Sequence, residues 1–292
     1  MKSTFCVATT VLVLAALGAR PLSAETPLAA KSVFAKDNLV AWCIVPFDAK
    51  QRGPAERAEM LERLGIKRVA YDWRENHVPT FEEEILQYKK HGLEYTAFWG
   101  WHPAMAALIE KHGIRPQIWI SVGSPPGGTE PEKVEAAGKG LLPLVEQTRK
   151  LGCKLALYNH GGWGGEPQNL AAVARWLRDN AKGDHVGIVY NLHHGHGHIE
   201  DFAEVLALMK PYLLCLNLNG MNDNANPKIL PIGSGRHERA MMEAIAKSGY
   251  SGPIGILDHR GDTDAEESLR QNLDGMKKVL KEMGDEAALR TY

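Results

Sequence analysis

Short apolar runs recur along the chain, each followed by a polar or glycine-rich stretch and then by a segment with helical spacing. The runs are Leu39–Phe47, Lys67–Trp73, Glu94–Trp101, Pro116–Val122, Lys154–Asn159, Val186–Asn191, Leu213–Asn219 and Ile254–Asp258. Helical patterns fill the intervals at Pro54–Leu64, Phe81–His91, Pro103–His112, Glu130–Leu151, Pro167–Ala181, Ile199–Lys210, Glu238–Ser248 and Asp264–Met283. Several open on Pro or on a Thr or Asp cap and close at a glycine, as at Gly65, Gly113 and Gly152. The runs are apolar on both faces, as parallel strands are when helices cover them. Eight such units in about 250 residues predict an α/β fold with one domain, a (β/α)8 TIM barrel over residues 36–292.

Ahead of this pattern, Met1-Lys2 supplies a short positive start and Val7 to Leu17 an apolar core. With small residues before Glu25, residues 1–24 read as a signal peptide and 25–35 as a linker. A periplasmic or extracellular location is the expectation. No later apolar run is long enough to span a bilayer. Lys and Arg total 34 against 35 Asp and Glu, so no net field favours nucleic acid or an anionic membrane. Cys43, Cys153 and Cys215 are far apart and lie in or beside apolar runs. They read as small buried hydrophobes, not as a disulfide framework.

Active sites of such barrels gather at the C-terminal ends of the strands. Polar residues concentrate there: Asp72 and Arg74 after the second run, Trp99 and Trp101 at the third, Asn159, His160 and Glu166 at the fifth. The sixth run leads into Asn191, His193 and His194, the seventh carries Asn217 and Asn219, and the eighth ends at Asp258 and His259. Aromatic faces beside amides and imidazoles suit a sugar, whose C–H face stacks while its hydroxyls need donors and acceptors together. A small-molecule carbohydrate is therefore the expected partner. Asp72 and Arg74 read equally as a local salt bridge, Asp262 and Asp264 as caps, and Glu166 as a cap or a carboxylate reaching the site.

Four motifs in order resemble the xylose isomerase-like barrels of the sugar phosphate isomerase/epimerase group. LALYNHGGW looks like the strand-five form L-A-L-E-N-H-G-G, VGIVYNLHH like a strand-six motif ending D-x-x-H, LPIGSGRHE like the G-x-G turn after strand seven, and IGILDH like a strand-eight motif ending Glu-His. The resemblance spans nearly all of the chain beyond the signal. It implies proton transfer next to a carbonyl, and in isomerising members a divalent metal held by Glu, Asp, His and Glu from strands five to eight. Here those positions fall on Tyr158, Asn191, Asn217 and Asp258. One carboxylate with two amides is a poor set for a hard cation.

Three readings of the run YNLHHGHGHI stay open. Its histidines act as proton-transfer groups without an obligatory metal, with His160 and His194 as base and acid and Asp258 as orienter or second base. A zinc or manganese ion is held by His160, His194, His196 and Asp258. Or the run is a solvated loop that only touches ligand. His193 is expected to point away from the mouth. Asn159, Asn191, Asn217, Asn219, Trp99, Trp101, Asp72, Glu166 and His259 are the expected substrate-binding residues. The leading function is an exported sugar isomerase, epimerase, lyase or hydratase. The rival is a carbohydrate-binding pseudoenzyme. A nuclease of the same fold would need a dense acidic zinc cluster and a basic groove, and neither is visible.

Overall fold

A computed structural model describes Met1 and residues 32–292. The expected signal peptide and most of the linker lie outside the described residues. Eight parallel strands close into a barrel in sequence order: β1 (Leu39–Trp42), β2 (Arg68–Tyr71), β3 (Glu94–Trp99), β4 (Gln117–Ser121), β5 (Lys154–Tyr158), β6 (Val186–Asn191), β7 (Leu213–Leu218) and β8 (Ile254–Leu257). β8 pairs with β1, Leu39 beside Ile254 and Trp42 beside Leu257, so no edge is left open. Outside run α1 (Pro54–Leu64), α2 (Phe81–Lys90), α3 (Pro103–His112), α4 (Glu130–Leu151), α5 (Pro167–Ala181), α6 (Phe202–Met209), α7 (Glu238–Ser248) and α8 (Ala265–Met283). A short α9 (Glu286–Leu289) follows.

Alternation along each strand divides the core in two. Leu39, Ala41, Val69, Leu155, Leu157, Ile254 and Ile256 face the helices. Val40, Trp42, Ala70, Ala97, Trp119, Ala156, Tyr158, Val189, Cys215 and Leu257 fill the lumen. Three aromatic rings dominate that filling, with Trp42 4.8 Å from Trp119 and Trp119 6.3 Å from Tyr158. Small residues on neighbouring strands leave them room, and together they form a solid floor beneath the mouth.

The strands stop earlier than the apolar runs suggest, because the backbone turns at the mouth. Cys43 takes φ 62 immediately after β1, a left-handed conformation rare for a residue with a side chain. It breaks the alternation, so Trp42 and Cys43 both reach the lumen. The linker boundary also shifts. Phe34 and Ala35 are buried, Ser32 Oγ donates to Asp285 at 2.5 Å, and the Tyr292 hydroxyl donates to the Phe34 carbonyl at 2.9 Å. Ser32–Ala35 thus belong to the barrel, held against the C-terminal segment.

Candidate active site

The C-terminal mouth encloses a cavity of about 270 Å³. Trp42, Trp99 and Tyr158 form its floor and side, with Trp99 and Tyr158 4.6 Å apart edge to face. Four imidazoles stand over them. His160 lies 4.8 Å from His194, His194 4.4 Å from His193, and His193 4.9 Å from His259, measured between ring centres. Phe47 covers His259 at 3.9 Å, and Cys43, Asp72, Arg74 and Asn191 complete the lining.

Burial sets the protonation of this group. It drives the His193 pKa down to about 2 and that of His194 down to about 3, helped by the neighbouring imidazoles and Lys228. His259 is lowered for the same reason. These rings are neutral at pH 7, each able to donate from one nitrogen and accept on the other. His160 is the exposed member of the cluster and keeps contact with water. Asp72 moves the opposite way. Buried at the end of β2, it has only Arg74 nearby and weak backbone contacts from Val45 and its own N–H, and burial outweighs them and holds its pKa up to about 8. A protonated carboxyl and neutral imidazoles therefore share one small cavity.

Asn191 organises the wall beside them. Its Nδ2 donates to the Tyr158 hydroxyl at 2.6 Å, and its Oδ1 accepts from the His193 backbone N–H at 3.1 Å. Burial raises the Tyr158 pKa far above its usual value, so the phenol keeps its proton. With its oxygen accepting from Asn191, that proton is free to donate into the cavity.

Of the residues expected at the site, the structure gathers His160, His194, His259, Asp72, Asn191 and Trp99 around one cavity. Others are placed elsewhere. Asp258 follows Leu257, which occupies the lumen, so its carboxyl turns to the helix side, near Ser268 and 3.9 Å from Arg260. A one-residue difference in strand register exchanges the two faces, and the role assigned to Asp258 fails on that ground. Asn159 is a clamp between strands: its Oδ1 accepts from Asn191 N–H at 2.8 Å and its Nδ2 donates to Asn191 O at 3.0 Å. Asn217 lies buried in the lumen, its Oδ1 only 1.8 Å from where a side chain on Gly255 would begin. Gly255 is what lets that amide lie across β8. Asn219 donates to Gly220 O, and Trp101 packs against the outer core. Glu166 is engaged by His198 at 3.1 Å, and His196 Nδ1 faces the His193 carbonyl at 3.2 Å.

The expectation for His193 is reversed, since it lines the cavity. Trp42, Cys43, Phe47, Arg74 and Tyr158 were not expected there as contacts. The turn at Cys43, which brings in three of them, has no signal in the apolar pattern. A divalent-metal site of the kind the family resemblance implies does not fit these residues. Tyr158 is a protonated phenol, the Asn191 amide is already bonded at both ends, and Asp258 faces outward. Among the described residues no three His, Cys, Asp or Glu side chains are placed to hold a metal, and His160, His194, His196 and Asp258 do not converge.

The family model of the xylose isomerase-like TIM barrel matches residues 47–279. No curated protein matches the chain by sequence. Among solved structures, 3-keto-D-glucoside 4-epimerase from E. coli is similar at 16% identity and TM-score 0.63, covering 83% of this chain and 100% of that one. D-psicose 3-epimerase is similar at 10% identity and TM-score 0.60, over 86% of this chain and 99% of that one. A probable 3-DHS dehydratase from Bacillus anthracis is similar at 12% identity and TM-score 0.61, over 83% of this chain and 98% of that one. At these identities the likeness is one of fold.

Proposed function

The chain belongs to the xylose isomerase-like TIM barrel family, and from that premise we propose that it is a carbohydrate enzyme moving a proton beside the carbonyl of a sugar or keto-sugar. Epimerisation, isomerisation, dehydration and hydration all share this step. The observation that carries the reading is the pairing of a protonated Asp72 with neutral imidazoles in an aromatic-floored cavity. Similar folds serve a 3-keto-D-glucoside epimerase and a probable dehydratase, which supports the reaction class.

The residues divide the work as follows. Trp99 and Trp42 seat the apolar face of the sugar ring. Asp72 and the Tyr158 hydroxyl donate to the oxygen that gains charge as the enolate forms. His160, in contact with water, takes the proton from carbon. His194, neutral beside it, holds the substrate and passes a proton without changing the cavity's charge. The N-terminal sequence supports export, which makes free sugars or glycosides the substrates.

A second reading, a carbohydrate-binding protein without turnover, is favoured by the loss of charged ligands at Tyr158 and Asn191. Incubating a 3-keto-glucoside in deuterium oxide separates the two. We expect exchange at the carbon beside the carbonyl, slowed roughly 10²–10⁴-fold in His160→Ala or His194→Ala. Exchange that survives both substitutions overturns the assignment of the histidines. Tight sugar binding with no exchange, with or without added zinc or manganese, overturns the enzyme.

A further inference from the structure

We propose that the sugar this site accepts is an acid, its carboxylate received by Arg74 on a wall shared by two cavities. The inference rests on the carbohydrate reading above and adds a substrate class to it. The first cavity is the histidine pocket. The second, of about 470 Å³, opens between the loop after β1 and the turn after β2, and Arg74 lines both.

Two other arginines border the second cavity, and both are neutralised. Arg52 contacts Asp48 at 2.8 Å and Asp264 at 2.7 Å, and Arg57 contacts Glu84 at 2.7 Å. Arg74 ion-pairs with no described carboxylate. Its Nη1 donates to the Trp73 carbonyl at 2.7 Å, and its guanidinium lies 5.6 Å from the Phe47 ring centre. That contact fixes the plane of the fork while its other N–H groups stay open.

Nothing else in the pocket balances this charge. Asp72 is the carboxyl on the wall, and it holds its proton at pH 7. Lys228, exposed beyond the mouth, adds positive field at three of the histidines lining it. An uncompensated guanidinium beside a sugar seat matches a single carboxylate in both charge and geometry. A phosphate dianion would call for a second cation, and the other arginines bordering the second cavity are already paired. A uronate, free or as a glycoside, has the required form: a ring for the aromatic floor and an acid group at its edge.

Calorimetric titration tests this without relying on turnover. The ligands are D-glucuronate, D-glucose and glucose 6-phosphate, titrated into the whole protein and into Arg74→Gln and Arg74→Lys. Arg74 is exposed, so these substitutions leave the barrel core intact. We expect glucuronate to bind roughly tenfold or more tighter than glucose. That ratio should fall to about one in Arg74→Gln, recover in part in Arg74→Lys, and shrink at high salt. Equal affinity for acid and neutral sugar in the unaltered protein, or a preference that persists in Arg74→Gln, overturns the proposal. So does a stronger preference for the phosphate. A glucuronate preference that depends on Arg74, in a protein that exchanges no proton in any sugar, upholds this inference while the enzymatic reading fails.

Discussion

Asp48, in the loop between β1 and α1, and Asp72, at the end of β2, are both buried, at 3% and 2% exposure. Their surroundings are opposite. Asp48 accepts from the backbone N–H groups of Lys50, Arg52 and Ala265 and from the Arg52 guanidinium. Burial alone would raise its pKa, yet those bonds outweigh it and hold the carboxylate below its usual range. Asp72 has no guanidinium bonded to it and only weak backbone contacts; burial outweighs them, and its pKa rises to about 8. Strong bonding in one case and deeper burial with weak bonding in the other make one aspartate a structural anion and the other an acid poised near neutrality. A buried polar group left unsatisfied costs stability, and here the cost falls where chemistry is expected.

The largest effect that could break this contrast is in activity. Asp72→Asn keeps the shape and removes the transferable proton, so turnover of a keto-sugar should fall roughly 10²–10⁴-fold. Stability should respond only to pH. The Asp72 pKa is raised on folding, so its contribution is fully present below about pH 4 and is lost as pH rises through about 8, at up to about 1.4 kcal/mol per pH unit. His193 and His194 are lowered on folding, and their contribution is lost only as pH falls below the ordinary histidine range. Between those limits, from about pH 6.5 to about pH 8, Asp72 stands alone among the three. Urea titrations there should show stability declining with pH in the natural protein, and a flatter profile in Asp72→Asn. Parallel profiles would remove the case for a protonated Asp72.

Asp48→Ala tests the other side. Arg52 would keep Asp264 and Glu266 but lose its most buried partner, and the loop before α1 would lose its tie to Ala265 at the start of α8. Breaking a buried pair of this kind costs about 3–5 kcal/mol. We expect a fall of that order in unfolding free energy. Sugar affinity measured well below the melting temperature should change far less. A variant with full stability but lost sugar binding would show that Asp48, too, belongs to the site.

The architecture was legible in the sequence because helical periodicity and caps are local. Five helices, among them α4 and α5, begin and end where the pattern places them. The short α9 carries too brief a pattern to be seen. The site was legible only in part, for reasons that act at single residues. Leu257 and Asp258 are adjacent, and nothing in IGILDH says which one enters the lumen. Cys43 looks like one more apolar residue in a strand, although its left-handed backbone turns the chain and brings Phe47 to His259. Arg74 reads as half of a salt bridge with Asp72 until the structure shows the two unpaired.

The same contrast recurs inside the histidine run. His193 lies buried with Nδ1 unpartnered, and its pKa is driven down. His198, five residues on, has Asp201 on Nδ1 and Glu166 on Nε2, each at 3.1 Å. Burial opposes its charge, but the two carboxylates outweigh it and raise the pKa. Its contribution is therefore fully present below about pH 6.5 and lost as pH rises through the raised value. Both carboxylates are substantially exposed, so solvent screens the pair and His198→Ala should cost no more than about 1 kcal/mol. That cost should appear near about pH 5.5 and vanish near about pH 9. An equal loss at both pH values would mean that His198 packs its loop through shape alone, and that in this run bonding does not divide the charged histidine from the neutral ones.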